Sequence, residues 1–152
     1  MLNEIEKERE LLAKNILKTE NRTCVFVTDV VWSTDERGIK PLLKVLGEGR
    51  EVNGAVVADK VVGKAAAFLY ALMKVRSVYA YTVSEPALEV LAGAGIEVCA
   101  EKVVPAIRNR TDTGQCPMET LVWDTSDAYQ AYEKLKKATE SGGLKVKVKS
   151  GK

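Results

Sequence analysis

The stretch NGAVVADKVVGKAAAFLYALMKVRSVYAYTVS, residues 53–84, decides the fold of this chain. Its first part, NGAVVAD, is a short and wholly apolar run bounded by turn residues, which reads as a buried strand. KVVGKAAAFLYALMKV, starting at Lys60, is rich in alanine and apolar on most faces and reads as a helix. SVYAYTVS, residues 77–84, is again β-branched and aromatic and reads as a strand. Strand, helix and strand in that order form a crossover unit, and such crossovers join parallel, neighbouring strands with right-handed sense.

The same pattern repeats downstream. Ser84 and Glu85-Pro86 open the helix EPALEVLAGAG, and IEVCAEKVVPAI, residues 96–107, is a further strand stopped or kinked at Pro105. Upstream the pattern differs. RTCVFVTD and VVWSTD are two strands with Thr28 and Asp29 between them, so an antiparallel hairpin precedes the parallel part. RGIKPLLKVLGEG gives a short helix with Gly47 and Gly49 as stop signals. Residues 3–18 place Ile5, Leu11, Leu12, Ile16 and Leu17 on a helical period among Glu and Lys, which predicts an amphipathic helix. A polar loop, RNRTDTGQ, leads to a helix at Pro117. The last helix is expected over roughly Ser126 to Ala138, capped by Ser126. Together these predict an α/β protein with a mostly parallel sheet and helices on both faces. One domain is expected over 1–140, with 141–152, SGGLKVKVKSGK, as a glycine-hinged flexible tail; an edge strand of alternating Val and Lys is the other reading.

Composition narrows the function classes. The chain has 152 residues, 46% of them apolar and 29% charged, enough for one core and ordinary for a soluble protein. A net charge of +2, evenly mixed, gives no basic face for nucleic acid. No apolar run is long enough for a membrane span, and the charged start lacks the apolar segment of a secretory signal. Three cysteines without a CxxC pair fit a reduced, cytoplasmic protein. The chain has no histidine. That removes Ser-His and Cys-His catalysis and zinc sites built on imidazole, and leaves Asp, Glu, Lys, Cys, Tyr or backbone groups for any chemistry.

Two segments carry candidate site residues. In ADKVVGK, Asp59 falls at the end of the predicted strand, at or near a helix N-cap, where its carboxylate can accept amide bonds in the positive end of the helix dipole. Lys60 and Lys64 are four apart and share one helix face. Gly63 between them costs roughly 1 kcal/mol relative to alanine, which suggests close approach of a backbone or ligand. The plainer alternative is a cap, a solvated face and tight packing. In NRTDTGQCPMET, Pro117 suits the first helical position, so Cys116 becomes the N-cap and Glu119 stands in capping-box register. A thiol at a helix amino end is activated by the dipole, and Arg108 and Arg110 nearby strengthen that effect or clamp an anion. Glu119 opposes it, and an inert core cysteine is the plain alternative.

The blocks STDERGIKPLL, ADKVVGKAAA, VSEPALEVL and VPAIRNRTDTGQCPMET, in that order, resemble a domain-of-unknown-function family of small bacterial and archaeal proteins that is similar in fold to cytidine deaminases. The resemblance runs from roughly Leu11 to Ala138. It implies a three-layer α/β/α sandwich around a five-stranded mixed sheet, with two helix amino ends facing each other at the sheet end. In zinc deaminases those ends carry a His/Cys-Ala-Glu and a Pro-Cys-x-x-Cys motif. Here QCPME lies in the place of the second motif, with Cys116 matching its first cysteine and Glu119 replacing the second. Ala58 or Asp59 stands where the first ligand belongs, and Lys60 near the place of the acid/base Glu. The zinc motif is therefore missing, no metal ligand is assigned, and no cofactor is named. The resemblance implies a pocket lined by Asp59, Lys60, Lys64, Asn109, Arg110, Cys116 and Glu119, taking a nucleotide-like small molecule without metal. Ser33, Thr34 and Arg37 either line the same crevice or serve as turn and cap residues. Three functions stay open: metal-free catalysis with Cys116 as nucleophile and Asp59 and Lys60 beside it, a non-catalytic nucleotide sensor or carrier, and a metal-dependent hydrolase or deaminase with unusual ligands. Self-association is a further expectation, because proteins of this fold often assemble.

Overall fold

Six helices and five strands make up the computed structural model, which describes residues 1–109 and 111–151 and, for 141–151, the backbone alone. In order they are α1 (Glu4–Thr19), β1 (Cys24–Val27), β2 (Val31–Thr34), α2 (Lys40–Gly47), β3 (Val56–Val62), α3 (Lys64–Met73), β4 (Ser77–Ser84), α4 (Glu85–Gly93), β5 (Glu97–Val104), α5 (Pro117–Val122) and α6 (Ala128–Gly151). The strands form one five-stranded sheet in the order β2-β1-β3-β4-β5. β1 runs antiparallel to β2 and to β3, and β3, β4 and β5 are parallel. This is the mixed α/β/α sandwich expected, with the hairpin on one side and two parallel crossovers on the other.

α1 begins on a reciprocal capping box: the Asn3 side chain accepts from the Glu6 amide at 2.8 Å, and the Glu6 carboxylate accepts from the Asn3 amide at 2.9 Å. Its buried stripe, Ala13 and Leu17, packs on Val25, Val27, Ala58 and Tyr79 of one sheet face. The other face carries the larger core, under α2, α3, α4 and α6. α3 is buried on nearly all sides from Ala65 to Tyr70, which is why its sequence shows no polar stripe: a helix apolar all round lies inside. Ala65, Ala66 and Ala67 are small enough to let it lie between the sheet and its neighbours. Ser84 ends β4 and caps α4 directly, its hydroxyl accepting from the Ala87 amide at 3.2 Å.

Three boundaries differ from the sequence reading. β3 does not end at Asp59 but continues to Val62, and α3 starts only at Lys64 with Gly63 as an extended N-cap at φ −101°, ψ −175°. Val61 and Val62 are β-branched and pair with Thr82 and Val83 of β4, so tertiary pairing wins over the alternative of a helical start. Asp59 is thus a strand residue, and Lys60 and Lys64 share no helix face. The ladder omits Lys60 and Tyr81. Val57 before that gap and Val62 after it both pack in the core under the helices. The simple alternation of a half-buried strand breaks there. Second, Asp127 rather than Ser126 serves the start of α6, its carboxylate accepting from the Tyr129 amide at 3.4 Å. Third, the backbone of α6 continues past Ala138 to Gly151, over the stretch expected to form a tail.

Candidate functional site

The amino end of α3 is where β3 delivers its chain, and the N-cap there is a glycine with no side chain to satisfy the first amides. Their acceptor comes from far along the sequence. Glu119, on α5, takes hydrogen bonds from the Lys64 amide at 2.6 Å and the Ala65 amide at 2.9 Å. Its side chain is buried, at 3% exposure. Burial pushes its pKa above the ordinary carboxyl range, and the two amide bonds pull it back. Gly63 makes the seat possible: a Cβ there would lie 2.5 Å from the Glu119 carboxyl carbon. Glu119 therefore does not close a capping box on its own helix; it caps the neighbouring one. The two segments read as site candidates meet here, through Glu119 and the Gly63–Ala65 backbone.

Cys116 is the N-cap of α5 and Pro117 its first residue, as the spacing predicts. Among the described residues, no hydrogen bond reaches the half-buried thiol. Lys64 Nζ donates to the Trp123 carbonyl at 2.5 Å, so both ends of α5 are tied to one residue of α3.

Asp59 is elsewhere engaged. It faces α3 and lies opposite Cys24 in the β1–β3 ladder. Tyr70 Oη donates to Asp59 Oδ2 at 2.5 Å and lies 3.2 Å from Cys24 Sγ, while the Val61 amide donates to Asp59 Oδ1 at 3.2 Å. All three side chains are buried. Loss of hydration pushes the Asp59 pKa up to about 7 against the pull of those hydrogen bonds. The Asp59 carboxylate thus serves no helix end, because the strand carries it past the turn and into the core.

Lys60 turns toward the loop after α1, where Nζ is 3.4 Å from Asn21 Oδ1. Asn109 organises its own loop: its side-chain oxygen accepts from the Thr113 amide at 3.0 Å and its amide nitrogen donates to Thr113 Oγ1 at 3.2 Å. Arg110 lies outside the described residues. Arg108 bonds Asp112 at 2.8 Å within the same loop. Thr34 Oγ1 accepts from the Glu36 amide at 3.1 Å, a turn role. Of the three residues expected to converge, Asp59 is bonded to Tyr70 and Lys60 to Asn21, and neither is bonded to Cys116.

Neither do these donors fit zinc. The chain has no histidine, both Glu119 oxygens are committed to amides, and Cys116 is one thiol where a dedicated site takes several soft ligands. Among the described residues, no group of three or more Cys, Asp or Glu side chains converges as a metal site.

An open groove of about 410 Å³ lies instead between α3, α4 and the α5–α6 linker. Lys64 and Phe68 line it from α3, Pro86 and Glu89 from α4, and Thr125 and Ser126 from the linker. Of the described residues expected to form a pocket, Lys64 is the one on this groove. The others were missed because the groove is assembled by three segments with no local motif. Two signals were nonetheless present: a glycine before a helix demands a distant acceptor, and a tyrosine inside an all-apolar helix demands a partner for its hydroxyl.

A family model described as a domain of unknown function, DUF1893, matches residues 12–138. No curated protein is significantly similar to the chain. Among solved structures, a DUF1893 family protein (TM1506) from Thermotoga maritima superposes with a TM-score of 0.83 at 22% identity, covering 91% of this chain and 92% of that one. A dCMP deaminase from cyanophage S-TIM5 is less similar, with a TM-score of 0.42 and 15% identity over 66% of this chain and 99% of that one. A diaminohydroxyphosphoribosylaminopyrimidine deaminase/reductase from Thermotoga maritima gives a TM-score of 0.38 and 18% identity, over 62% of this chain and 34% of that one. The chain belongs to the DUF1893 family.

Proposed function

We propose that this DUF1893 protein is a binding module for a nucleotide-like small molecule, held without metal in the groove between α3, α4 and the α5–α6 linker. The observation that carries this reading is the make-up of that groove. Lys64 supplies a cation for an anionic group, Pro86 and Val90 supply apolar wall, and Glu89 and Ser126 supply polar edges over a floor formed by the buried Phe68 and Thr125. Its volume of about 410 Å³ lies in the usual range for small-molecule sites. Binding is favoured over turnover because the Asp59 carboxylate is bonded to Tyr70 and Lys60 turns toward Asn21, which leaves Cys116 without either as a hydrogen-bonded partner. A nucleophile needs its base within hydrogen-bond reach, and none is found beside Cys116 among the described residues. Cys24, Cys99 and Cys116 are all free thiols, which suits a reducing compartment such as the cytoplasm. Among the described residues, no helix is long and apolar enough to cross a membrane.

Thermal unfolding with a panel of nucleosides and nucleoside mono- and diphosphates tests the reading. A ligand of the groove raises Tm with increasing concentration and is recovered unchanged. Lys64→Ala and Glu89→Ala abolish or weaken the shift, whereas Cys116→Ser keeps it. A panel without any shift, or a shift untouched by both groove variants, overturns the assignment.

A further inference from the structure

The residue pair at the β1–β3 ladder and the phenol above it form a cluster the groove does not use. Asp59, Tyr70 and Cys24 are three acids in contact, each buried, at 2.5 Å and 3.2 Å from one another along the chain of hydrogen bonds. The groups facing Asp59 are few. From α3 comes the Tyr70 hydroxyl, from β1 the Cys24 thiol, and from β3 itself the amides of Lys60 and Val61. Its β4 neighbour is Ala80 and the β2 residue opposite Cys24 is Thr34, neither of them titratable. The Lys60 ammonium is turned to Asn21. Among the described residues, no cation pairs with the cluster, so any negative charge formed there is uncompensated.

We propose that the Asp59–Tyr70–Cys24 cluster is a pH-sensitive clasp joining β1, β3 and α3: with Asp59 protonated it holds α3 on the sheet, and loss of that proton loosens the attachment. In the protonated form the Asp59 hydroxyl donates to Tyr70 Oη and the phenol turns its own proton to Cys24 Sγ; on ionisation the carboxyl proton goes to solvent and the phenol turns back to donate to Asp59 Oδ2. In the ionised form the carboxylate keeps the Tyr70 bond but carries a charge the core does not solvate. The folded chain therefore holds a proton that the unfolded chain has already released, over a window from the ordinary carboxyl range up to neutrality. α3 also carries Lys64 and Phe68, yet the clasp requires nothing from the groove.

Urea unfolding of the full chain between about pH 4.5 and 9, for wild type and Asp59→Asn, tests this. Relative to Asp59→Asn, the wild-type folding constant falls by about tenfold per pH unit up to about pH 7 and then levels. Parallel profiles for the two proteins overturn the clasp. Should Asp59→Asn fail to fold, infrared titration of the protonated-carboxyl band in wild type and Tyr70→Phe decides it. A band lost near neutral pH in wild type, and at higher pH once the phenol donor is gone, supports the clasp. A band absent above pH 5, or unmoved by Tyr70→Phe, overturns it.

Discussion

At the residue scale the molecule turns on Glu119 and Gly63. A carboxylate at a helix amino end is favoured by the dipole and by two charge-assisted amide bonds, and here that carboxylate comes from a different helix. Removing it leaves two buried amides without an acceptor. Glu119→Ala should therefore lower unfolding free energy by about 2–3 kcal/mol in urea titrations. Gly63→Ala should lower it by a similar amount. The backbone there is extended and accepts any residue, but the added methyl takes the place of the carboxyl group. The double variant should be no worse than Glu119→Ala alone, since the methyl then has room. A coupling of about 2 kcal/mol in the double-mutant cycle is the expected signature, and additive effects would mean that the two residues do not share this seat. The Glu119 position was legible as a helix-start residue, but its partner was not, because nothing local connects it to residues more than fifty positions earlier in the sequence.

At the element scale, local signals served well where one element's sequence decides its own boundary. α1 begins and ends within one residue of the expected span, but its expected stripe holds only at Ile16 and Leu17: Ile5, Leu11 and Leu12 are exposed, and Ala13 packs on the sheet beside Leu17. Asn3→Ala should cost about 1 kcal/mol, read as a shift in the urea midpoint. Leu17→Ala should cost about 2–4 kcal/mol, since Leu17 is one of two buried α1 anchors on that sheet face. β3 was legible as a strand but not to its end. Lys60, Val61 and Val62 fit a helix start by themselves, and only pairing with β4 draws them into the sheet. That one shift moves Asp59 from a helix cap into the core and separates Lys60 from Lys64.

At the scale of the whole molecule, the buried acids set how stability depends on pH. Asp59 has a folded pKa of about 7 against an ordinary 3.8. Its contribution is complete below the ordinary value and is lost as pH rises through that of the folded state. The loss is on the order of 4 kcal/mol between about pH 4 and pH 7–8. Glu119, shifted upward by burial, acts with the same sign. Glu97, lowered chiefly by its bond with the N-terminal amine, acts with the opposite sign and stabilises above its unfolded pKa. Calorimetry across pH 4–9 should therefore give a Tm that falls toward neutrality in wild type and falls much less in Asp59→Asn.

The amino-acid order by itself determined the class of fold: the succession of helices and strands though not every boundary, that the later strands are parallel, that the hairpin is antiparallel, and that imidazole chemistry is absent. These follow from periodicity, turn residues and composition, all of which act over a few positions. Only the tertiary structure decided which polar groups meet. Glu119 reaches α3, Tyr70 reaches Asp59 and Cys24, and three separate segments enclose the groove, because buried donors and acceptors must be satisfied by whatever the packed chain brings near them. That requirement is set by distance in space, and sequence separation leaves it unmarked.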